Sequence, residues 1–290
     1  MRTLGVIGGS GLYEMDGLSD VKEHPLETPF GEPSDAVIEG TLTQNGHTAR
    51  LLFLPRHGRG HRFPPHRINY RANLWALKKL GAEQVVSFSA VGSMKERIEP
   101  GDLVLVDQYV DRTRHRVNTF FDDDGVAAHV EFAEPIDGAL REALHRAAMD
   151  VGAKVHNGGT YVCIDGPQFS TRAESLLFRS WGVDVIGMTN LPEARLAREA
   201  ELPYASVALA TDYDCWHQSE ESVTVEAVIA VLKANTEKAR RVVRRVAELL
   251  PDPLVSPATS ALRHAVMTDP SKISPEAKQK LSLLIEKYLG

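Results

Sequence analysis

The chain has 290 residues, 43% hydrophobic and 25% charged, with a formal net charge of −6 and a pI near 6.0, which is ordinary composition for one large globular domain. No block of Lys and Arg offers the cationic face that nucleic acid or an anionic membrane requires. No apolar run could span a bilayer and the N-terminus carries no apolar leader, so neither partner is expected and a cytoplasmic location is. The two cysteines, Cys163 and Cys215, lack metal-ligand spacing and read as buried reduced thiols rather than a disulfide or a metal site.

Residues 3–7 read as a short apolar strand ending in Gly8-Gly9-Ser10-Gly11, where backbone N–H groups and the Ser10 hydroxyl can close around an anion. A plain tight strand exit is the alternative. A dinucleotide fingerprint would need glycine at position 14, which is Glu14, and no Gly-Lys-Ser/Thr follows, so nicotinamide and ATP are disfavoured. Residues 36–43 and 49–54 alternate as two antiparallel strands, the second ending in Pro55-Arg56-His57-Gly58. Arg56 brings a planar bidentate fork and His57 a donor whose charge responds to a dianion; a solvated basic loop is the other reading. Residues 69–80 carry a helical stripe through Leu74, Leu77 and Leu80 and stop at Gly81.

Residues 84–88 form the next strand and lead into Ser89-Ala90-Val91-Gly92-Ser93, small residues that let a ligand approach the backbone. Pro100-Gly101-Asp102 turns the chain into a single buried strand over 103–110, and the acid-rich segment 120–125 is expected on the surface. Residues 140–151 are helical by periodicity; His129, just before them, is ambiguous. A strand over 154–164 precedes the loop Asp165-Gly166-Pro167-Gln168-Phe169-Ser170 and a helix from about Arg172. Phe169 either stacks on a heteroaromatic ring or plugs the core. A short strand at 183–186 reaches Gly187-Met188-Thr189, where Met188 taken alone is a core residue.

Residues 204–210 read as a buried parallel strand leading into Thr211-Asp212-Tyr213-Asp214-Cys215-Trp216. Asp212 and Asp214, at i and i+2, share a face if the extended conformation persists, at the strand end where α/β sheets bind ligands. A helix cap plus a solvated acid is the alternative. Residues 222–250 make a long amphipathic helix with Val225 and Val228 on its buried side, and Pro251, Pro253 and Pro257 then open a tail whose last helix starts at Ser274-Pro275. The expected fold is α/β: a single domain over 1–250 with a central mixed, largely parallel sheet flanked by helices, plus a helical C-terminal tail over 251–290.

Nearly every expected parallel strand thus ends in an anion donor, an apolar platform or a carboxylate, which together describe one composite site. The motifs Ile7-Gly8-Gly9-Ser10-Gly11-Leu12, Thr28-Pro29-Phe30-Gly31, Arg56-His57-Gly58, Asn69-Tyr70-Arg71-Ala72-Asn73, Pro100-Gly101-Asp102, Gly166-Pro167-Gln168-Phe169-Ser170, Arg172-Ala173-Glu174, Gly187-Met188-Thr189 and residues 210–216 occur in this order. On them the chain resembles the nucleoside phosphorylase superfamily, and within it the branch that acts on 5′-methylthioadenosine.

What the resemblance implies is phosphorolysis, in which inorganic phosphate is a co-substrate and no cofactor or metal takes part. Ser10, Arg56, His57, Ser89, Ala90 and Thr189 fall where that family binds phosphate. Phe169, Ser170 and Met188 match base and ribose contacts, Val225 and Val228 match positions lining the methylthio pocket, and His129 matches one lent by a neighbouring subunit. A homotrimer, or a dimer of trimers, is therefore expected. The carboxylates divide the work: Asp212, if protonated, donates at purine N7, and Asp214 accepts from the exocyclic amino group of adenine. Related enzymes for 6-oxopurines carry Asn where Asp212 stands, which places methylthioinosine phosphorolysis second; a nucleosidase or a non-catalytic purine sensor are remoter readings. Gln168 replaces an arginine common in the family loop, and Asp165 a glutamate.

Overall fold

The β-branched runs become strands and the 3.6-periodic segments helices in the computed structural model, which describes residues 1–9, 11–122, 125–217 and 225–289, the side chains of 225–229 excepted. The strands are β1 (Arg2–Gly8), β2 (Leu18–His24), β3 (Val37–Gln44), β4 (His47–Pro55), β5 (Gln84–Ser93), β6 (Leu103–Leu105), β7 (Gln108–Arg112), β8 (Val155–Asn157), β9 (Thr160–Ile164), β10 (Val185–Gly187) and β11 (Tyr204–Tyr213). Around them pack α1 (Tyr70–Lys79), α2 (Gly138–Asp150), α3 (Arg172–Ser180), α4 (Asn190–Glu199), α5 (Val225–Leu249) and α6 (Pro275–Ile285). The sheet runs β2-β3-β4-β1-β5-β10-β9-β7, and β11, β6 and β8 branch from the other flank of β5. Pairing is parallel for β4/β1, β1/β5, β5/β11, β10/β9, β9/β7 and β6/β8 and antiparallel elsewhere, so the sheet is mixed and largely parallel, as expected.

The geometry that creates the site is a fork on β5. Its residues 84–87 pair with β1 and residues 92–93 with β10, while β11 occupies the opposite flank along nearly the whole strand. Residues 88–91 therefore have no strand partner on the β1/β10 flank. The carbonyl of Ser93 accepts from Asp214 N–H on the β11 flank, and Met94 N–H donates to Asp184 on the β10 flank. By this alternation the N–H of Ala90, an exposed residue, faces the gap of the fork.

Two expected single strands are each broken in two. The segment 103–110 divides into β6 and β7, and 154–164 into β8 and β9, so that one half of each joins either branch of the sheet. The breaks sit against each other: the Asp107 carboxylate accepts the Gly159 N–H at 3.1 Å. A Cβ on Gly158, which has φ +108°, would lie 2.8 Å from that carboxylate. Strand β10 runs antiparallel to β5 rather than parallel, yet it pairs only with the tip of β5, so its C-terminal end still turns back towards residues 89–91. The segment 120–125 is not simply a surface loop, because Phe120 and Phe121 are buried and the Phe120 ring packs edge-on against Phe30 at 5.1 Å.

The tail packs on its own chain. Ser274 caps α6 by accepting the Ala277 N–H, and Leu281, Leu284 and Ile285 are at most 1% exposed within the main core. Each such side chain removed from water is worth roughly 2 kcal/mol at most.

Candidate active site

Arg56 directly follows β4 and is 2% exposed. Its Nε and Nη2 donate to the two carboxylate oxygens of Glu193 at 2.7 and 2.9 Å, Nη2 also reaches Ser87 Oγ at 2.5 Å, and Nη1 donates to the Phe88 carbonyl at 2.9 Å. Four of its five N–H bonds are thereby committed within the protein, leaving one on Nη1. Next to it, His57 Nδ1 lies 2.8 Å from the Phe63 carbonyl, which can only accept, so Nδ1 carries the proton and Nε2 faces elsewhere. Burial, with Arg56 and the stacked His61 adding to it, pushes the His57 pKa down to about 4, against the opposing pull of the Phe63 carbonyl. His57 is therefore neutral at pH 7.

Ser89 is buried beside the fork, with its hydroxyl 3.3 Å from Asn190 Oδ1. Thr189 starts α4 without a side-chain capping bond. Donors from β4, β5 and the β10–α4 junction thus meet at one end of the sheet around the fork. Ser10 lies outside the described residues.

At the end of β11 the register with β5 slips between Ala210 and Asp212, a bulge that re-aims the side chains following it. Gly92 of β5 leaves room for both acids: a Cβ there would stand 3.3 Å from Asp212 Oδ1 and from Asp214 Cβ. The Thr211 hydroxyl donates to Asp212 Oδ2 at 2.6 Å. Burial nevertheless raises the Asp212 pKa, and the neighbouring Asp214 adds to the rise. Asp214 is buried and accepts from the Ser170 hydroxyl at 2.9 Å. The loop carrying Ser170 is folded onto Asp214, while its Phe169 is 84% exposed; Phe169 does not plug the core. Met188 closes under the same loop, its Sδ filling the space where a Cβ on Gly166 would lie 2.6 Å away.

Two expected contacts are not brought to this point. His129 is exposed and lines a separate cleft of about 470 Å³ with Thr119, Phe132, Arg195 and Glu199, and none of the other candidate residues lines it. For Val225 and Val228 only the backbone is described, as the first turn of α5; their side chains lie outside the described residues.

Several residues that sequence reasoning passed over build the site. Glu193, 0% exposed, reads in sequence like a solvated first-turn acid after Pro192. Arg116 sits in the basic run Arg112 to Arg116, which suggests a surface loop, yet its side chain is 3% exposed. It donates to the Asp165 carboxylate at 3.0 Å, to the Met188 and Leu191 carbonyls at 2.8 and 2.7 Å, and to the Asp165 carbonyl at 2.7 Å. It ties the Asp165–Ser170 loop to the Met188–Thr189 strand end. Asp165, the departure from the family's glutamate, is the acid paired with it; nothing in the structure explains Gln168. Among the described residues no cluster of His, Cys, Asp or Glu is placed to hold a metal ion, and no helix is long and apolar enough to cross a membrane.

The phosphorylase superfamily model matches residues 3–248. An S-methyl-5′-thioadenosine phosphorylase of Geobacter sulfurreducens is 53% identical over 99% of both chains. The crystal structure of a methylthioadenosine phosphorylase from an antarctic soil metagenomic library superposes with a TM-score of 0.91 at 44% identity, covering 98% of each chain. A variant of adenosine/methylthioadenosine phosphorylase from Schistosoma mansoni, solved with methylthioadenosine, gives 0.79 at 33% identity over 99% and 98%. The forked sheet and the two-carboxylate strand end are therefore set in a chain that belongs to the phosphorylase superfamily and, within it, to the family of S-methyl-5′-thioadenosine phosphorylases.

Proposed function

We propose that this chain cleaves 5′-methylthioadenosine with inorganic phosphate, releasing adenine and 5-methylthioribose 1-phosphate. The observation that carries the reading is the Asp212–Asp214 pair at the end of β11, the first with its pKa raised by burial and the second accepting from the Ser170 hydroxyl. A phosphate oxygen forms the new bond to C1′ as the C1′–N9 bond breaks and its electron pair passes to the purine. Asp212 delivers its proton to N7, so that adenine rather than its anion departs, and the carboxylate left behind is reprotonated after release. Asp214 accepts from the 6-amino group, which a 6-oxopurine could not supply.

In this reading Ser10, Ser89, Thr189, the Ala90 N–H, the remaining Arg56 N–H and His57 hold the phosphate, and Phe169, Ser170 and Met188 face base and ribose. With Nδ1 bonded to Phe63, His57 offers Nε2 as an acceptor for a phosphate hydroxyl, or becomes a donor once a bound dianion charges the ring. Val225, Val228 and a neighbouring subunit's copy of His129 complete the methylthio pocket, which requires that chains associate, as a homotrimer or a dimer of trimers. The enzyme works in the cytoplasm with no cofactor beyond its co-substrate, and residues 1–250 carry the chemistry while 251–290 form the tail.

The test is turnover of methylthioadenosine and methylthioinosine, each with and without phosphate. Phosphate-dependent release of adenine, with methylthioinosine turned over far more slowly, is the expected result. Turnover that proceeds equally well without phosphate would identify a hydrolase instead.

A further inference from the structure

Beneath the fork, the residues proposed to touch phosphate do not stand independently. Glu193 accepts from Arg56 through both oxygens, and its Oε1 also accepts the Tyr204 hydroxyl at 2.8 Å. Asn190, one turn earlier at the start of α4, donates to Tyr204 Oη at 3.0 Å and to Ser87 Oγ at 3.2 Å, and its Oδ1 accepts from Ser206 at 3.1 Å and Ser89 at 3.3 Å. Ser87 Oγ in turn accepts from Arg56. Glu193, Asn190 and Ser87 are each 0% exposed, and Arg56, Ser206 and Tyr204 at most 2%. One closed network therefore links the end of β4, the middle of β5 and the start of β11 to the first turn of α4, beside Thr189.

A buried guanidinium is mobile unless its fork is matched, and a buried carboxylate persists only when it is paired and hydrogen-bonded. Glu193 does both for Arg56. It fixes the plane of the guanidinium, so that the uncommitted N–H keeps one direction, and it cancels the charge, so that the anion is held by aimed dipoles rather than by a free cation. We infer that Glu193 is a positioning residue for phosphate: it touches neither substrate, and it sets phosphate affinity by orienting Arg56, whose Nη1 keeps one N–H uncommitted. This inference rests on the phosphorolysis reading.

The experiment is steady-state kinetics with phosphate and methylthioadenosine varied separately, on the full chain and on Glu193→Gln, Glu193→Asp, Arg56→Lys and the Glu193→Gln/Arg56→Lys pair. Gln keeps one acceptor oxygen but turns an amide N–H2 towards the guanidinium donors, so the phosphate KM should rise about tenfold or more while the nucleoside KM stays within about twofold. Glu193→Asp, which keeps the charge, should recover part of that rise. In the doubly substituted enzyme the loss should fall short of the product of the separate losses, because both substitutions break one unit. Equal shifts in both KM values, or a fall in the active fraction with both unchanged, would overturn the inference and make Glu193 a residue of the fold alone. Should Glu193→Gln not fold, Tyr204→Phe decides: it removes one bond to Glu193 and leaves the ion pair, and a phosphate KM raised by about threefold is expected, whereas an unchanged value overturns the proposal. A wild-type enzyme indifferent to phosphate would sink the phosphorolysis reading itself; a phosphate-dependent wild type with an unshifted Glu193→Gln sinks only the positioning role.

Discussion

Asp212→Asn separates the acid chemistry from the architecture that supports it. The replacement is isosteric, so it fits the space that Gly92 leaves by having no Cβ. The amide oxygen can still accept the Thr211 hydroxyl now bonded at 2.6 Å. What disappears is a transferable proton. General acid assistance contributes about 10²- to 10⁴-fold, and an amide N–H still hydrogen-bonds N7, so turnover of methylthioadenosine should fall about 10²- to 10³-fold, or about 3–4 kcal/mol, with KM changed little. Methylthioinosine, whose 6-carbonyl can accept from the new amide, should gain relative to it. Stability should move the other way. The folded-state pKa of Asp212 is raised above its unfolded value, so the wild-type chain loses stability as pH rises from the unfolded value through the folded one; Asn removes that loss. The assay is kcat and KM for both nucleosides at saturating phosphate and fixed pH, for Asp212→Asn and Asp214→Asn, with melting curves at pH 5 and pH 8. If Asp212→Asn keeps wild-type turnover while Asp214→Asn loses it, the two acids have been assigned the wrong way round.

Arg56→Ala leaves the Glu193 carboxylate buried without its partner, so unfolding in denaturant should show a loss of about 3–5 kcal/mol, together with a raised phosphate requirement in whatever fraction folds; a variant of wild-type stability would mean the pair is not closed in solution. Burial raises Glu199 from 4.5 to about 7 despite its bonds from Phe120 and Thr119. The wild-type chain should therefore lose up to about 3 kcal/mol between pH 4.5 and pH 7, and Glu199→Gln should flatten that slope in melting curves. His57, at about 4 in the free enzyme, should titrate nearer 7 with phosphate bound, since a unit charge about 4 Å away is worth about 4 kcal/mol at an effective dielectric of 20; ring-nitrogen NMR with and without phosphate measures this, and an unmoved titration removes His57 from the anion site.

Much of this was legible from periodicity and turn chemistry. Asn69 and Gly81 bracket α1, Ser274-Pro275 opens α6, and the strand expected over 204–210 forms, with Asp212 and Asp214 at its C-terminal end. The illegible parts share a cause: they depend on contacts distant in sequence. Nothing near Asp107 announces that Gly158 and Gly159 will face it, so the broken strands were read as continuous. Strand β2 is exposed along most of its length and shows no apolar alternation to detect. Glu193 and Arg116 are charged residues among charged neighbours, and only the fold reveals that Glu193 is buried with partners from two other segments and Arg116 with partners from three. The superfamily model stops at residue 248, and what the tail does is visible only in the fold, where Leu281, Leu284 and Ile285 are buried on their own chain.

The fork on β5 also bears on how such a site tolerates change over generations. A side-chain donor is erased by one substitution, but the N–H at position 90 belongs to the main chain and survives replacement of Ala90 by any residue except proline, which has no N–H. What holds that donor open is the absence of a neighbouring strand over residues 88–91, a property spread across the pairings of β1, β10 and β11. Drift in individual side chains can therefore retune the end proposed for the nucleoside, where specificity rests on a few functional groups, while leaving the end proposed for phosphate in place. Enzymes with different bases and 5′ substituents can diverge from such a scaffold without having to reinvent their shared co-substrate.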